Sequence, residues 1–155
     1  MKHRIFALCT LFAGLATMAQ AQAQGSFTMK CNPTLVNYQF SATQQISTFT
    51  CTTDATVNGV AFNGLTFSET SQVTTSGGDS WGVIVGALAN GGQVFFQFTA
   101  VAHKASSTSG TAQMSYKIVG GTGTANGITG SGTCNATEGQ GTGSEQTCVG
   151  TYTTH

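Results

Sequence analysis

Beyond Arg4 this chain of 155 residues contains no arginine, and charged side chains of either sign make up 6% of it, against a usual share of about 25%. From residue 24 onward Lys30, Lys104 and Lys117 stand against Asp54, Glu69, Asp79, Glu138 and Glu145, a net charge of 3 − 5 = −2. Nucleic-acid binding needs a basic footprint, and none is present. Nothing in this distribution favours electrostatic attachment to a membrane. Leucine is scarce as well: after the first 23 residues it occurs only at Leu35, Leu65 and Leu88. No segment there carries apolar residues at helical spacing over three turns, which argues against a helical domain.

The signatures of chemistry are missing too. Gly-x-Ser-x-Gly does not occur in an elbow context, and Gly130-Ser131-Gly132 lacks its spacing. No lysine follows Gly121-Thr122-Gly123 at the P-loop distance, and its flanks read as strands. A triad needs a base held near a nucleophile. The histidines outside the N-terminal segment are His103 and His155. His103 ends an apolar strand beside Lys104, where water is its expected neighbour. The carboxylates are scattered over expected turns and strand ends, with no paired arrangement. With no Cys-x-x-Cys, a zinc site is not expected. The reading is no catalytic residue, no cofactor and no metal, and it leaves open whether the protein is an enzyme.

The N-terminus is more telling. Met1-Lys2-His3-Arg4 is basic, Ile5 to Ala19 is apolar, and Ala19-Gln20-Ala21 and Ala21-Gln22-Ala23 each offer a small-x-small cleavage signal. That is the pattern of a secretory signal peptide, with cleavage expected after Ala23 and Ala21 as the alternative. The apolar run is shorter than the roughly 20 residues needed to span a bilayer. Cys9 falls too early in it for a lipoprotein anchor. Residues 1–23 are therefore read as a signal and 24–155 as one domain of 155 − 23 = 132 residues, enough for its own core. The expected location is secreted or periplasmic, with no membrane association after signal removal. Solubility then rests on abundant Thr, Ser, Asn and Gln.

Cys31, Cys51, Cys134 and Cys148 remain, and an even count in an exported chain implies disulfides. Register favours the local pairing. In an antiparallel hairpin, paired positions have a constant sum. Cys31 and Cys51 centre on position 41, within Ser41-Ala42-Thr43; Cys134 and Cys148 centre on Gly141, within Gly139-Gln140-Gly141-Thr142-Gly143. Directly opposed residues lie close enough for a disulfide. The crossed pairings would need the first and last regions to be neighbours, which barrel closure could arrange.

Alternating segments rich in Thr, Val, Phe and Tyr recur along the chain, as strands favour. They run near Phe27–Cys31, Leu35–Phe40, Ile46–Thr52, Val60–Phe62, Leu65–Val73, Trp81–Leu88, Gln93–His103, Thr111–Val119, Ile128–Thr137 and Gln146–Thr153. About eight such strands joined by short loops predict an all-β fold, a small closed antiparallel up-and-down barrel, with a β-sandwich as alternative. Asn63-Gly64 reads as a type I′ hairpin turn, setting Phe62 opposite Leu65 and Val60 opposite Phe67. Asn90-Gly91-Gly92 reads as a second, slightly longer loop. Val94, Phe96, Phe98 and Ala100 share one strand face; Ala112, Met114, Tyr116 and Ile118 share the next. Paired across Ser106–Gly110, they form the expected core, with Phe95 on the other side. Trp81, Phe96, Phe98 and Tyr116 are candidates to line a ligand cavity, against the simpler reading that they are core. A barrel of this size either fills with side chains or holds one small ligand.

Between Gly120 and Gly132 six glycines gather, which reads as a turn feeding a bent strand. Tyr116-Lys117-Ile118-Val119-Gly120-Gly121-Thr122-Gly123, followed by Gly127-Ile128-Thr129-Gly130-Ser131-Gly132-Thr133, resembles the C-terminal part of the allene oxide cyclase and dirigent barrel superfamily. There a strand leads to Gly-Thr-Gly, then a short loop and Gly-x-x-Gly-x-Gly. The resemblance covers Trp81 to Tyr152. It implies an eight-stranded antiparallel barrel, in some members with an apolar cavity that guides cyclisation or radical coupling. The plant dirigent proteins use charged pocket residues including arginine, so no catalytic position carries over. Two functions follow as expectations: an exported barrel that binds a small apolar molecule, with dirigent- or cyclase-like activity, or an exported structural or adhesive subunit with no ligand cavity. An apolar cavity above roughly 300 Å³ would separate them.

Overall fold

The computed structural model describes residues 22–32, 36–106, 109–139 and 144–154. The expected signal run and the Ala21 cleavage position, Leu35, Gly141 at the proposed turn centre, and His155 lie outside them. The described chain is almost entirely strand: β1 (Gln22–Cys31), β2 (Val36–Gln39), β3 (Gln44–Thr53), β4 (Thr56–Val57), β5 (Val60–Thr74), β6 (Gly77–Leu88), β7 (Gln93–Lys104), β8 (Ser109–Thr122), β9 (Thr129–Gly139) and β10 (Ser144–Thr153). One 3₁₀ turn, Gly123–Ala125, links β8 to β9. No described helix is long and apolar enough to cross a membrane.

The sheet closes on itself. Antiparallel pairing runs β1-β10-β9-β8-β7-β6-β5, and β3 pairs with both β5 and β1, making an eight-stranded barrel with β2 and β4 as additions. The barrel, rather than the sandwich, is the fold. Strand alternation then decides what lies inside. Leu65 and Phe67 on β5, Ile84 on β6, Phe98 on β7 and Met114 on β8 are buried in one central cluster. The expected core register holds: Phe98 lies opposite Tyr116, Ala100 opposite Met114, and Phe96 opposite Ile118, with a bulge between Phe95 and Phe96. Ring contacts knit this layer, with Phe49 stacked on Phe67 at 4.7 Å and Phe98 edge-on to Phe67 at 5.6 Å. A second cluster of Val57, Leu88, Val94, Ala125 and Ile128 seals one end. The glycine-rich stretch thus supplies an end plug: its 3₁₀ turn buries Ala125, and Ile128 follows it inward.

One hairpin differs from expectation. Asn63-Gly64 is not a turn. The turn is Asn58-Gly59, where both residues have positive φ (51° and 77°) and Val57 pairs with Val60, the backbone that a two-residue type I′ loop requires. The chain offers two Asn-Gly pairs in seven residues, and the first one folds. The second falls inside continuous β5 at a register shift between Phe62 and Gly64, so Phe62 faces Leu88 and Leu65 faces Gly86 on β6.

Both disulfides form as the register predicts: Cys31–Cys51 between β1 and β3, and Cys134–Cys148 between β9 and β10, each joining directly opposed residues. The first hairpin is not uniform, however. Cys31 opposes Cys51, whereas Val36 opposes Thr48, so 36 − 31 = 5 residues face 51 − 48 = 3. The two extra residues fall between β1 and β2 and divide what would be one strand. Replacing Cys134 and Cys148 together by Ala should lower stability by about 3 kcal/mol, the chain-entropy contribution of a loop of that length. Urea denaturation of the double variant checks this, and a non-reducing peptide map should show only the two local links.

Candidate functional site

The barrel interior is divided into two compartments by the layer of Phe67, Phe98 and Met114. Met114 borders both. The first is a cavity of about 270 Å³ toward the end where Gln22 meets Thr153, with Phe27, Leu65, Ile84, Phe96, Tyr116 and Ile118 among its walls. Its volume sits just under the lower edge of the range of about 300–1,000 Å³ usual for ligand pockets.

The Tyr116 side chain lies on a row of glycines. Tyr116 on β8 is opposed by Gly132 on β9, Gly132 by Gly150 on β10, and Gly150 by Gly25 on β1. Three adjacent strands therefore present no side chain on one inward row. The Tyr116 hydroxyl lies over this row: a Cβ on Gly132 or Gly150 would overlap its Oη, whereas a Cβ on Gly25 would meet nothing within 4 Å. Phe96 packs edge-on to Tyr116 at 5.9 Å and Phe27 approaches it at 6.4 Å. Burial pushes the Tyr116 hydroxyl up to about 12, because its charged form would lose water.

Two contacts fix the cavity's border. The Thr28 N–H donates to Asp54 Oδ1 at 2.7 Å, and Thr53 Oγ1 donates to the Thr28 carbonyl at 2.7 Å. The Thr28 N–H holds the exposed Asp54 carboxyl below the ordinary carboxylate range. On the other side the Asn58 N–H donates to the Tyr152 hydroxyl at 3.2 Å, tying the β4–β5 turn to β10.

Of the four residues singled out in the sequence, Phe96 and Tyr116 meet in this cavity. Phe98 is buried in the dividing layer and borders the second compartment. Trp81 needs correction: it is 43% exposed on the barrel's outside. The reason is parity. On β6 the inward residues are Ile84, Gly86 and Leu88, so an odd position faces out. The sequence reading missed Phe27, Leu65, Ile84 and Ile118 as wall residues. Same-face alternation with Tyr116 was the available signal for Ile118. For Leu65, the misplaced turn had put a hairpin end where a mid-barrel position lies.

The second compartment, about 360 Å³, occupies the opposite end and is polar on one side. Among the described residues no group of three or more His, Cys, Asp or Glu comes together to hold a metal.

No protein-family model matches the chain, and no curated protein matches it. Among solved structures it is similar to a pyocyanin demethylase, at TM-score 0.45 and 15% identity over 81% of this chain and 98% of that one. It is also similar to a pterocarpan synthase dirigent protein, at TM-score 0.37 and 11% identity over 98% of this chain and all of that one. Both are β-barrel folds. Neither likeness assigns a role to a residue of this chain.

Two predictions follow from the Tyr116 row. Gly150→Ala should destabilise by about 1–3 kcal/mol through overpacking, and the same substitution in a Tyr116→Leu background should cost almost nothing; a double-mutant cycle by chemical denaturation measures the coupling. The folded Tyr116 titrates near 12 and the unfolded one near 10. Its native state thus loses stability as pH rises from about 10 to 12, and is unaffected below. Ultraviolet titration should show one of the three tyrosines ionising late, and Tyr116→Phe should remove that phase.

Proposed function

We propose that this is an exported β-barrel that holds a small apolar molecule in the cavity bordered by Gly25, Phe96 and Tyr116. The observation that supports it most is the apolar cavity itself, onto which Gly25 opens. Packing alone fills a barrel interior; Tyr116 fills the space over Gly132 and Gly150, yet the space over Gly25 beside it stays open. An apolar ligand would gain by burial, and the Tyr116 hydroxyl would supply the one directional contact. The cavity's volume suits a compact ring system rather than an extended chain. The sequence resemblance makes guided cyclisation or coupling the activity class to assay once a ligand is known. Such chemistry works mainly through orientation.

Export is part of the proposal, and two disulfides are consistent with an oxidising compartment. Cleavage after Ala23 would remove the end pairs Gln22↔Thr153 and Ala23↔Tyr152 of the β1–β10 ladder, whereas cleavage after Ala21 keeps them. N-terminal sequencing of protein from its host reads Gln24 or Gln22 accordingly.

The structural or adhesive alternative draws on a different observation. Trp81, Val83 and Val101 are exposed on the outer faces of adjacent β6 and β7, and exposed apolar groups of this kind can serve contact with other proteins. A donated strand is not required for closure, because every barrel strand is paired on both edges.

Gly25→Leu separates the two readings. Its side chain enters open space, so the fold should survive while the cavity fills. Native mass spectrometry of the wild type purified from its host should show a bound apolar molecule, and Gly25→Leu should lack it at unchanged thermal stability. A wild type that carries no ligand and takes up no naphthalene-type fluorescent probe would sink the binding proposal.

A further inference from the structure

We propose that the other half of the barrel is a second, independent binding compartment, for a small polyhydroxylated molecule of monosaccharide size. The register builds it from two unlike walls. On one side Gln45 on β3 opposes Ser71 on β5, and Ser71 opposes Ser80 on β6. One row deeper Glu69 also borders the compartment. This wall offers amide and hydroxyl groups on the inward parity shared with Leu65 and Phe67. Across the barrel, Ala102 on β7 opposes Ala112 on β8, which opposes Ala136 on β9. That row of methyl groups leaves the space. The floor is aromatic, formed by Phe49, Phe67 and Phe98.

The observation that points to a ligand is Ser71. It is 5% exposed, borders the compartment, and its Oγ has no hydrogen-bond partner among the described residues. A buried hydroxyl without a partner costs stability, and selection for packing alone would replace it with alanine. Here it faces a cavity of about 360 Å³, within the range of ligand pockets. Polar groups on one wall with aromatic rings beneath match a sugar-like solute, whose hydroxyls need partners and whose C–H faces can rest on rings. Gln146 on β10 adds a further amide at the border, its Nε2 donating to Cys31 Sγ at 3.8 Å.

The test is a ¹⁵N–¹H correlation titration of the whole chain with glucose and, separately, with myo-inositol. The expected result is saturable shifts at amides around Ser71, Ser80 and Ala102 with a Kd of about 1 mM or tighter for one of them, while amides around Gly25 and Tyr116 stay still. Ser71→Ala should weaken that binding about five-fold and leave the melting temperature equal to or above wild type. Ala112→Leu, which fills the alanine row, should abolish it. No interior shift with either solute would mean that the compartment holds water only, and the proposal would fall. It would equally fall if Ser71→Ala lowered the melting temperature with binding unchanged, for the hydroxyl would then be structural.

Discussion

The architecture depends on β3 being paired along both edges, with β5 on one side and β1 and β2 on the other. Without that the sheet would be an open ribbon with two long unpaired borders, the usual route to edge-to-edge association. With it, inside and outside are defined for every strand by parity, and a slip of one residue would turn each core row outward. The interruption between β1 and β2 lets one edge of β3 serve two partners. β1 turns away to reach β10, while β2 stays to cover the rest of β3.

Within the closed ring, row composition distributes the interior space. Large residues meet in the middle, where Phe49, Phe67, Phe98 and Met114 pack together. Above and below, one row is reduced to glycine and one to alanine. Leaving room inside a core costs stability; the alanine row leaves such room, whereas at the glycine row Tyr116 takes the space over Gly132 and Gly150 and only Gly25 opens onto the cavity. The two rows also differ in what faces them. Opposite the glycines stand Leu65 and Ile84 with Tyr116 reaching across. Opposite the alanines stand Gln45, Ser71 and Ser80. One barrel thus carries two compartments, the second more polar than the first, separated by one aromatic layer.

Most of the fold was legible because its determinants are local. Alternation marked the strands and the facing core rows of β7 and β8, and the constant-sum rule placed both disulfides. The failure at Asn63-Gly64 has a simple cause: the same dipeptide stands at 58–59, and local turn chemistry cannot choose between two adjacent copies. The choice is made by β6, which pairs with β5 from Phe62 to Thr74 and accepts Asn63 as a bulge. The site was less legible because cavities arise from rows, and a row joins residues far apart in sequence. Gly25, Gly132 and Gly150 look unrelated until β1, β10 and β9 are known to be neighbours. Trp81 shows the converse, since aromatic character says nothing about side and only the parity of Ile84 and Leu88 does. Glu69 and Ser71 carried a readable signal, being polar residues in phase with Leu65 and Phe67.

The two covalent links occupy informative places. Neither spans the closing seam, β1 with β10, where Gln22 meets Thr153 across 153 − 22 = 131 positions. Pairing over such a separation carries the largest loop-closure cost of any ladder in the molecule. Instead each disulfide staples a hairpin that borders the seam: β1 with β3 on one side, and β9 with β10 on the other. Stapling removes disorder from each hairpin before they meet, so the long-range step joins two preformed edges rather than two loose strands. Gly25 and Gly150 face each other across this seam, so the apolar cavity takes shape only when the barrel closes. In an oxidising compartment the links that prepare the edges therefore also prepare the walls of that cavity.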